Sequence, residues 1–422
     1  MSSCTLSEAA ARKNVNYLAG LDFIVSLGFG LIMPLFPQYV DFLGAGALEV
    51  GILFSSFVLT RAILATPFGN LSDRVGRKRL ILIGSFLYAL LAILFTVPET
   101  WPGLTLVRGL QGVASAMVWP VSEALVIDSC SPDRRGASLG KIVMASNLGM
   151  VIGPFIGGAL FLIASQYLGF SESNSFKFPF YFTGVVSLVG AVLVWIHVTD
   201  AKSPVKERRK MSFRKLLKPD GMDRVGVRNL RILYANAMME GFAWASIGPL
   251  MAYFLPAKFE YLTVSEVSII VGVAMGLGAL VAYPSGRLSD RLGRKLLFVL
   301  GGYLSFIGTM MIPFGMVLWV TVLFLAMRSM AWQMSSPALR ALQADTVPEN
   351  VRGRLIGMLE SMSNFGYVLG APIGGLLLDR FYGVSLGLPG PFDGTMIPFL
   401  VSGGLGLVTV TLVLVFVHER NK

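Results

Sequence analysis

Gly69-Asn-Leu-Ser-Asp73-Arg74-Val-Gly76-Arg77-Lys78 decides how this chain is read, because it returns as Gly286-Arg-Leu-Ser-Asp290-Arg291-Leu-Gly293-Arg294-Lys295. The copies lie 217 residues apart, about half of the 422, and each sits between two long apolar segments. The same offset carries Pro120 onto Pro337, Asp128 onto Asp345, and Arg135-Gly136 onto Arg352-Gly353. It also carries Gly149, Gly153, Gly157 and Gly158 onto Gly366, Gly370, Gly374 and Gly375. A register kept over this distance means a duplicated unit. Duplicated halves built from membrane spans are the architecture of secondary transporters.

Composition points the same way. Hydrophobic residues make up 54% of the chain and charged residues only 14%, with a mean hydropathy of +0.69. A soluble domain carries about 25% charged residues, so the apolar excess has to be solvated by lipid. The net charge of +11 does not point to nucleic acid, since the basic residues cluster in short loops and form no aromatic-interleaved face. Cys4 and Cys130 make neither a disulfide framework nor a metal pattern, and His197 and His418 are the only histidines. The polar N-terminus is followed by an apolar run without a small-residue cleavage site, which reads as a retained span.

A span needs roughly 20 apolar residues. The apolar runs predict an all-α integral membrane fold of twelve transmembrane helices. They fall at about 15–38, 47–71, 79–97, 103–127, 138–164, 178–198, 230–255, 265–286, 296–314, 316–339, 354–378 and 395–417. The expected division is an N-terminal six-helix half at 1–198, a basic linker at 199–229 and a C-terminal half at 230–422. Arg74, Arg77, Lys78, Arg79, Arg134, Arg135, the linker, Arg291, Arg294, Lys295, Arg352 and Arg354 share one set of loops. The other set holds only Lys177, Lys258 and Arg380. The positive-inside rule therefore assigns the linker and both termini to the cytoplasm.

The repeated loop resembles the signature between spans 2 and 3, and again between 8 and 9, of the major facilitator superfamily. The resemblance covers essentially the whole chain. It implies two pseudo-symmetric six-helix bundles and a loop that latches the halves in the outward-facing state. Chemically, Gly69 and Gly286 offer room for close helix approach, and Gly76 and Gly293 permit a tight turn. Asp73 can pair with Arg77 and Lys78 or meet a helix N-terminus, and Asp128 and Asp345, at the ends of spans 4 and 10, offer further partners for the loop arginines. Span 4, Arg108-Gly-Leu-Gln111-Gly112, resembles a pattern that in proton-coupled members places an arginine toward the cavity. Span 5, Gly149-Met-Val-Ile-Gly153-Pro154-Phe-Ile-Gly157-Gly158, resembles the pattern that marks exporters and antiporters. Leu27-Gly28 followed by Pro34-Leu-Phe-Pro37 is similar to the twelve-span drug:proton antiporters, although the acid many of these carry before the first proline is absent here.

Buried charge is expensive in a bilayer and marks candidate function. The candidates for proton coupling and the substrate cavity are Asp22, Arg61, Arg108, Gln111, Glu240 and Arg328. Asp22 and Glu240 differ by 218 positions and so are near-equivalents. An acid in an apolar setting, with Arg61 or Arg108 close by, would make a switchable pair. Glu123, near the cytoplasmic end of span 4, is expected to join the loop. Gly136-Ala-Ser-Leu-Gly140-Lys141-Ile lacks the spacing of an ATP phosphate loop, and no nucleophile elbow, catalytic carboxylate pair or metal cluster stands out. The expectation is a cell-membrane exporter of lipophilic or amphiphilic small molecules, not an enzyme. It would work as a monomer on substrate and protons within the lipid bilayer, with the proton gradient in place of any cofactor. Symport or facilitated diffusion of a specific metabolite, sugar or lipid is the alternative, and a non-transporting membrane sensor is the reading from another class.

Overall fold

The computed structural model describes residues 6–201, 222–346, 352–385 and 393–417. Cys4, His418 and most of the 199–229 linker lie outside the described residues, as do the side chains of Asp290, Asp345, Arg352 and Arg354. Among the described residues the chain is helical, and its only pairing of extended backbone is an isolated bridge between Ser385 and Asp393. The helices are α1 (Glu8–Phe42), α2 (Ala47–Val75), α3 (Arg77–Leu94), α4 (Trp101–Ser129), α5 (Arg135–Leu162) and α6 (Glu172–His197). They continue as α7 (Arg224–Ala245), α8 (Met251–Lys258), α9 (Val264–Leu292), α10 (Arg294–Met311), α11 (Leu318–Thr346), α12 (Arg352–Phe381) and α13 (Ile397–Phe416).

Among the described residues, eight helical segments are long and apolar enough to cross a membrane. Large apolar side chains point outward, with Leu106 at 66%, Leu280 at 74% and Trp319 at 80% exposure, which suits lipid and not water. The seventh span does not run unbroken over 230–255. A turn at 246–250 separates α7 from α8, at Gly248-Pro249, where proline removes a helix donor and glycine lowers helix propensity.

Local chemistry sets the helix ends. Ser7 and Ser171 cap α1 and α6, and the Asp223 carboxylate accepts from Gly226 N at 3.1 Å at the start of α7. Gly76 and Gly293 adopt φ of +99° and +98°, which lets α2 turn into α3 and α9 into α10 in a single residue. Glu49 accepts from Gly46 N at 2.9 Å, and its repeat partner Glu266 accepts from Thr263 N at 2.8 Å.

Contacts divide the chain into two compact units. The first holds Met1–Ala45, Ser56–Glu207 and Glu260–Gly272; the second holds Gly46–Ser55, Arg208–Phe259 and Val273–Lys422. The first turns of α2 thus belong to the second unit and those of α9 to the first, an exchange the repeat does not reveal. In the second unit the Asp379 carboxylate of α12 accepts from Ala47 N at 2.9 Å and Leu48 N at 2.7 Å. In the first, Ser265 Oγ donates to Gly158 O at 2.9 Å.

Each unit has its own core. In the first, aromatic rings pack against one another, Phe36 edge-on to Phe95 at 5.6 Å between centroids, Phe95 stacked on Phe180 at 5.3 Å and Tyr39 tilted against Phe176 at 5.4 Å. In the second, Leu230, Leu233, Phe298, Leu342, Leu355 and Val413 are buried together.

Candidate functional site

Arg108, Gln111, Ser115, Trp119 and Ser122 recur every three or four residues along α4, so the helix lays one polar stripe on one face. In the first unit that stripe meets α1 and α2. Arg108 is fully buried. Its guanidinium carbon lies 5.2 Å from the Phe29 ring, 5.6 Å from Phe36 and 4.6 Å from Phe57, and Nη1 donates to Gln111 Oε1 at 2.9 Å. A cation held against several ring faces is stabilised by their quadrupoles, at about 0.5–2 kcal/mol per ring.

Asp22 belongs to a second cluster, one that excludes Arg108. It is 1% exposed, with Oδ1 lacking a hydrogen-bond partner among the described residues. Its electrostatic neighbours are Glu123, Ser122 and Arg61. Ser122 lies about 21 Å beyond Arg108 at 1.5 Å per residue, so Arg108 and Asp22 do not form the expected pair. The arginine near Asp22 is Arg61, whose guanidinium sits 4.4 Å above the Trp119 ring. Glu123, expected at the loop, stands within electrostatic reach of Asp22. Sequence reasoning passed over Trp119, though its α4 spacing from Gln111 and Ser115 was a usable signal.

Glu240 has different company in the second unit. Asn236 Nδ2 donates to its Oε2 at 3.2 Å, and Arg340 and Tyr367 are its charged and phenolic neighbours. Trp244 meets Tyr367 edge-on at 5.4 Å. Arg328 lies in this unit too, its Nε donating to Thr309 Oγ1 at 3.1 Å. Arg340 escaped the sequence reading, although the 217-residue offset pairs it with Glu123.

The loop motif forms a compact ion cluster in the first unit. Asp73 Oδ1 bridges Arg77 Nη2 at 2.9 Å across the Gly76 turn, and Arg77 Nε also bridges Asp128. Lys78 does not join Asp73; its Nζ donates to Trp195 O at 2.8 Å, and its backbone N donates to Asp200 at 3.3 Å. Asp200, which sequence reasoning missed, caps α3 from the far end of the half. Arg74 and Arg291 are exposed, and Arg294 Nη1 donates to Ala341 O at 3.4 Å. Among the described residues, Gly69 and Gly286 do not serve close approach: a methyl group added at either would meet nothing within 4 Å.

The span-5 glycines do serve it. A Cβ at Gly153 would stand 2.5 Å from Leu31 N and 2.6 Å from Leu27 O, and one at Gly157 would stand 2.8 Å from Leu31 O. Gly149 meets Phe23 O as closely, and α5 continues helical through Pro154. Gly158 faces Ser268 and Ser265 of α9. The repeat partners Gly366 and Gly370 press in the same way on Met238 and Phe242 of α7, and Gly374 on Ser246 at its C-terminal end. Small residues here let backbones touch, which is how helices associate in lipid.

The sequence profile of the Major Facilitator Superfamily matches residues 18–237 and again 233–422. The chain is 29% identical over 379 residues to an uncharacterized MFS-type transporter of Methanocaldococcus jannaschii, covering 87% of this chain and 92% of that one. It is 25% identical to Multidrug resistance protein 2 of Bacillus subtilis, covering 94% of each. It is 23% identical to the quinolone resistance protein NorA of Staphylococcus aureus, covering 95% of each. Among solved structures, a bacterial homolog of the human lysosomal transporter Spinster aligns at a TM-score of 0.75 and 15% identity, over 98% of this chain and 96% of that one.

Proposed function

The chain belongs to the Major Facilitator Superfamily, and on that premise we propose that it exports lipophilic or amphiphilic small molecules in exchange for protons. The observation that carries the reading is the buried Asp22 carboxyl beside Glu123 and the Trp119-stacked Arg61. Similarity to multidrug and quinolone resistance proteins over 94% and 95% of the chain supports drug-like cargo.

An ionised carboxylate is costly in the bilayer core, so Asp22 changes side most cheaply when protonated. In the proposed cycle, Asp22 and Glu123 face water from the cytoplasm, give up a proton and accept an amphiphile whose polar or cationic group they attract. After the cavity opens outward, a proton taken up on Asp22 removes that attraction and the cargo leaves. The neutral site then returns, and Arg61 offsets the acids while they are ionised. Arg108 and its ring cage, a separate feature along α4, hold a fixed positive charge beside the path. The chain works alone in the cell membrane with both termini in the cytoplasm.

The test is expression in a host lacking its own efflux pumps. Accumulation of a lipophilic cationic dye should fall, and collapse of the proton gradient should restore it. A panel of dyes and antibiotics without gradient-dependent export, alongside uptake of one sugar or metabolite, would replace export with symport or facilitation.

A further inference from the structure

Arg224, Arg228 and Arg231 stand at i, i+4 and i+7 on the first two turns of α7, so they form one stripe. They line a groove of about 490 Å³ in the second unit whose apolar lining includes Ile232, Ala235 and, from α13, Leu412. All three arginines are exposed, and the acid beside them is the N-cap Asp223, whose carboxylate accepts from Gly226 N. Cations at this end of a helix oppose its dipole, so the stripe concentrates positive potential where the helix already supplies some.

The duplicated half does not repeat the arginine stripe, although it has a groove of its own beside Arg12, Arg134 and Lys141. The positions equivalent to Arg224, Arg228 and Arg231 are Ser7, Ala11 and Asn14. There Asn14 Nδ2 donates to Thr199 O at 2.8 Å, Thr199 N donates to Asn14 Oδ1 at 2.9 Å, and Tyr17 stacks on His197 at 4.3 Å. The start of α1 is thus bound to the end of α6. In the second half the same corner, between α7 and α13, is a cavity lined by arginine.

We infer that this groove binds an anionic phospholipid of the cytoplasmic leaflet, its phosphate on Arg224, Arg228 and Arg231 and an acyl chain along Ile232, Ala235 and Leu412. The charge asymmetry of the loops puts this end of α7 at the cytoplasmic surface, where anionic headgroups lie. Guanidinium forks match phosphate oxygens. The apolar part of the lining continues into the span, which favours a lipid over a soluble anion. The inference is independent of the cargo and of its direction.

The experiment is native mass spectrometry of the full chain with phosphatidylglycerol, phosphatidylcholine or inorganic phosphate added. Wild type should retain one phosphatidylglycerol per chain and no phosphatidylcholine. Arg224→Gln/Arg228→Gln/Arg231→Gln should weaken that binding about a hundredfold, at about fivefold per arginine. Arg12→Gln/Arg134→Gln/Lys141→Gln, an equal charge loss in the first unit, should keep the retained lipid. If the triple variant fails to fold, Arg231→Asn alone should weaken binding about fivefold. Equal loss from both triple variants would mean general surface attraction. Competition by inorganic phosphate as strong as by phosphatidylglycerol would mean a soluble-anion site. Binding that appears only after removal of the 202–221 linker would mean that the chain covers its own groove. Each of these three results overturns the inference.

Discussion

Glu123 on α4 and Arg340 on α11 hold the same position in the duplicated halves, yet one sets a second acid beside Asp22 and the other sets a cation beside Glu240. The arginines differ as well: Arg108 corresponds to Leu325, while Gln111 corresponds to Arg328. The helix contacts do not diverge in this way, since Gly153 presses on α1 as Gly370 presses on α7. Duplication has kept the scaffold and changed the charges. In the second half an acid with a nearby arginine and a bonded asparagine has its charge balanced locally. On the proposed reading, the two acids and Arg61 of the first half are the groups that a proton or a cationic cargo joins.

The largest effect should come from removing that imbalance. Asp22→Asn is expected to abolish pH-gradient-driven accumulation in inverted vesicles while substrate counterflow continues. Full gradient-driven transport in this variant would make the two halves functionally alike and move the proton site elsewhere. Next in size is a test of the shared scaffold. Gly153→Leu and Gly370→Leu should each destabilise by at least about 1–3 kcal/mol, because backbone atoms block the new side chain. Gly69→Ala should hold or slightly raise the melting temperature, since the added methyl group meets nothing within 4 Å among the described residues and alanine is the better helix former. Unequal losses at Gly153 and Gly370 would show that the scaffold too has diverged.

Asp73→Asn removes one bridge to Arg77 and should shift the balance of inward- and outward-open states by about 1–2 kcal/mol. Distances between spin labels on the two halves would report the shift, and unchanged distances would reduce the loop to a topological signal. The smallest effect belongs to Glu240→Gln, expected to change gradient-driven transport only a few-fold, as measured in the same vesicles. A loss as large as that of Asp22→Asn would erase the distinction between the halves.

What could be read in the sequence was what local spacing determines. The glycine ladder of span 5, the Gly76 turn and the Asp73–Arg77 pair all follow from neighbours within one or two helical turns or from a repeated small-residue pattern. Gly69 shows the limit of that reasoning, because a small residue signals close packing only if a partner helix faces it. The sequence offered Arg61 and Arg108 as partners of Asp22 but not the choice between them, for a related reason. Depth along two antiparallel helices decides whether Asp22 meets Arg108 or Arg61, and depth is set by tertiary register. Asp200, which follows α6, caps α3, and Asp379 of α12 caps α2; both helices are remote in sequence from their caps, so no local motif announces them. Arg340 was available through the repeat, which pairs it with Glu123, but it gains meaning only once Glu240 is placed beside it.

The central claim, that proton movement is tied to cargo through the acids of the first half, is tested most directly by proton flux in proteoliposomes. The purified chain would be reconstituted with a pH-sensitive dye inside and a lipophilic cation added to the outer bath without an imposed gradient. Wild type is predicted to couple cation entry to proton movement in the opposite direction, and Asp22→Asn to exchange the cation with no proton signal. Cation movement without a proton signal in wild type, or an undiminished signal in Asp22→Asn, would contradict it.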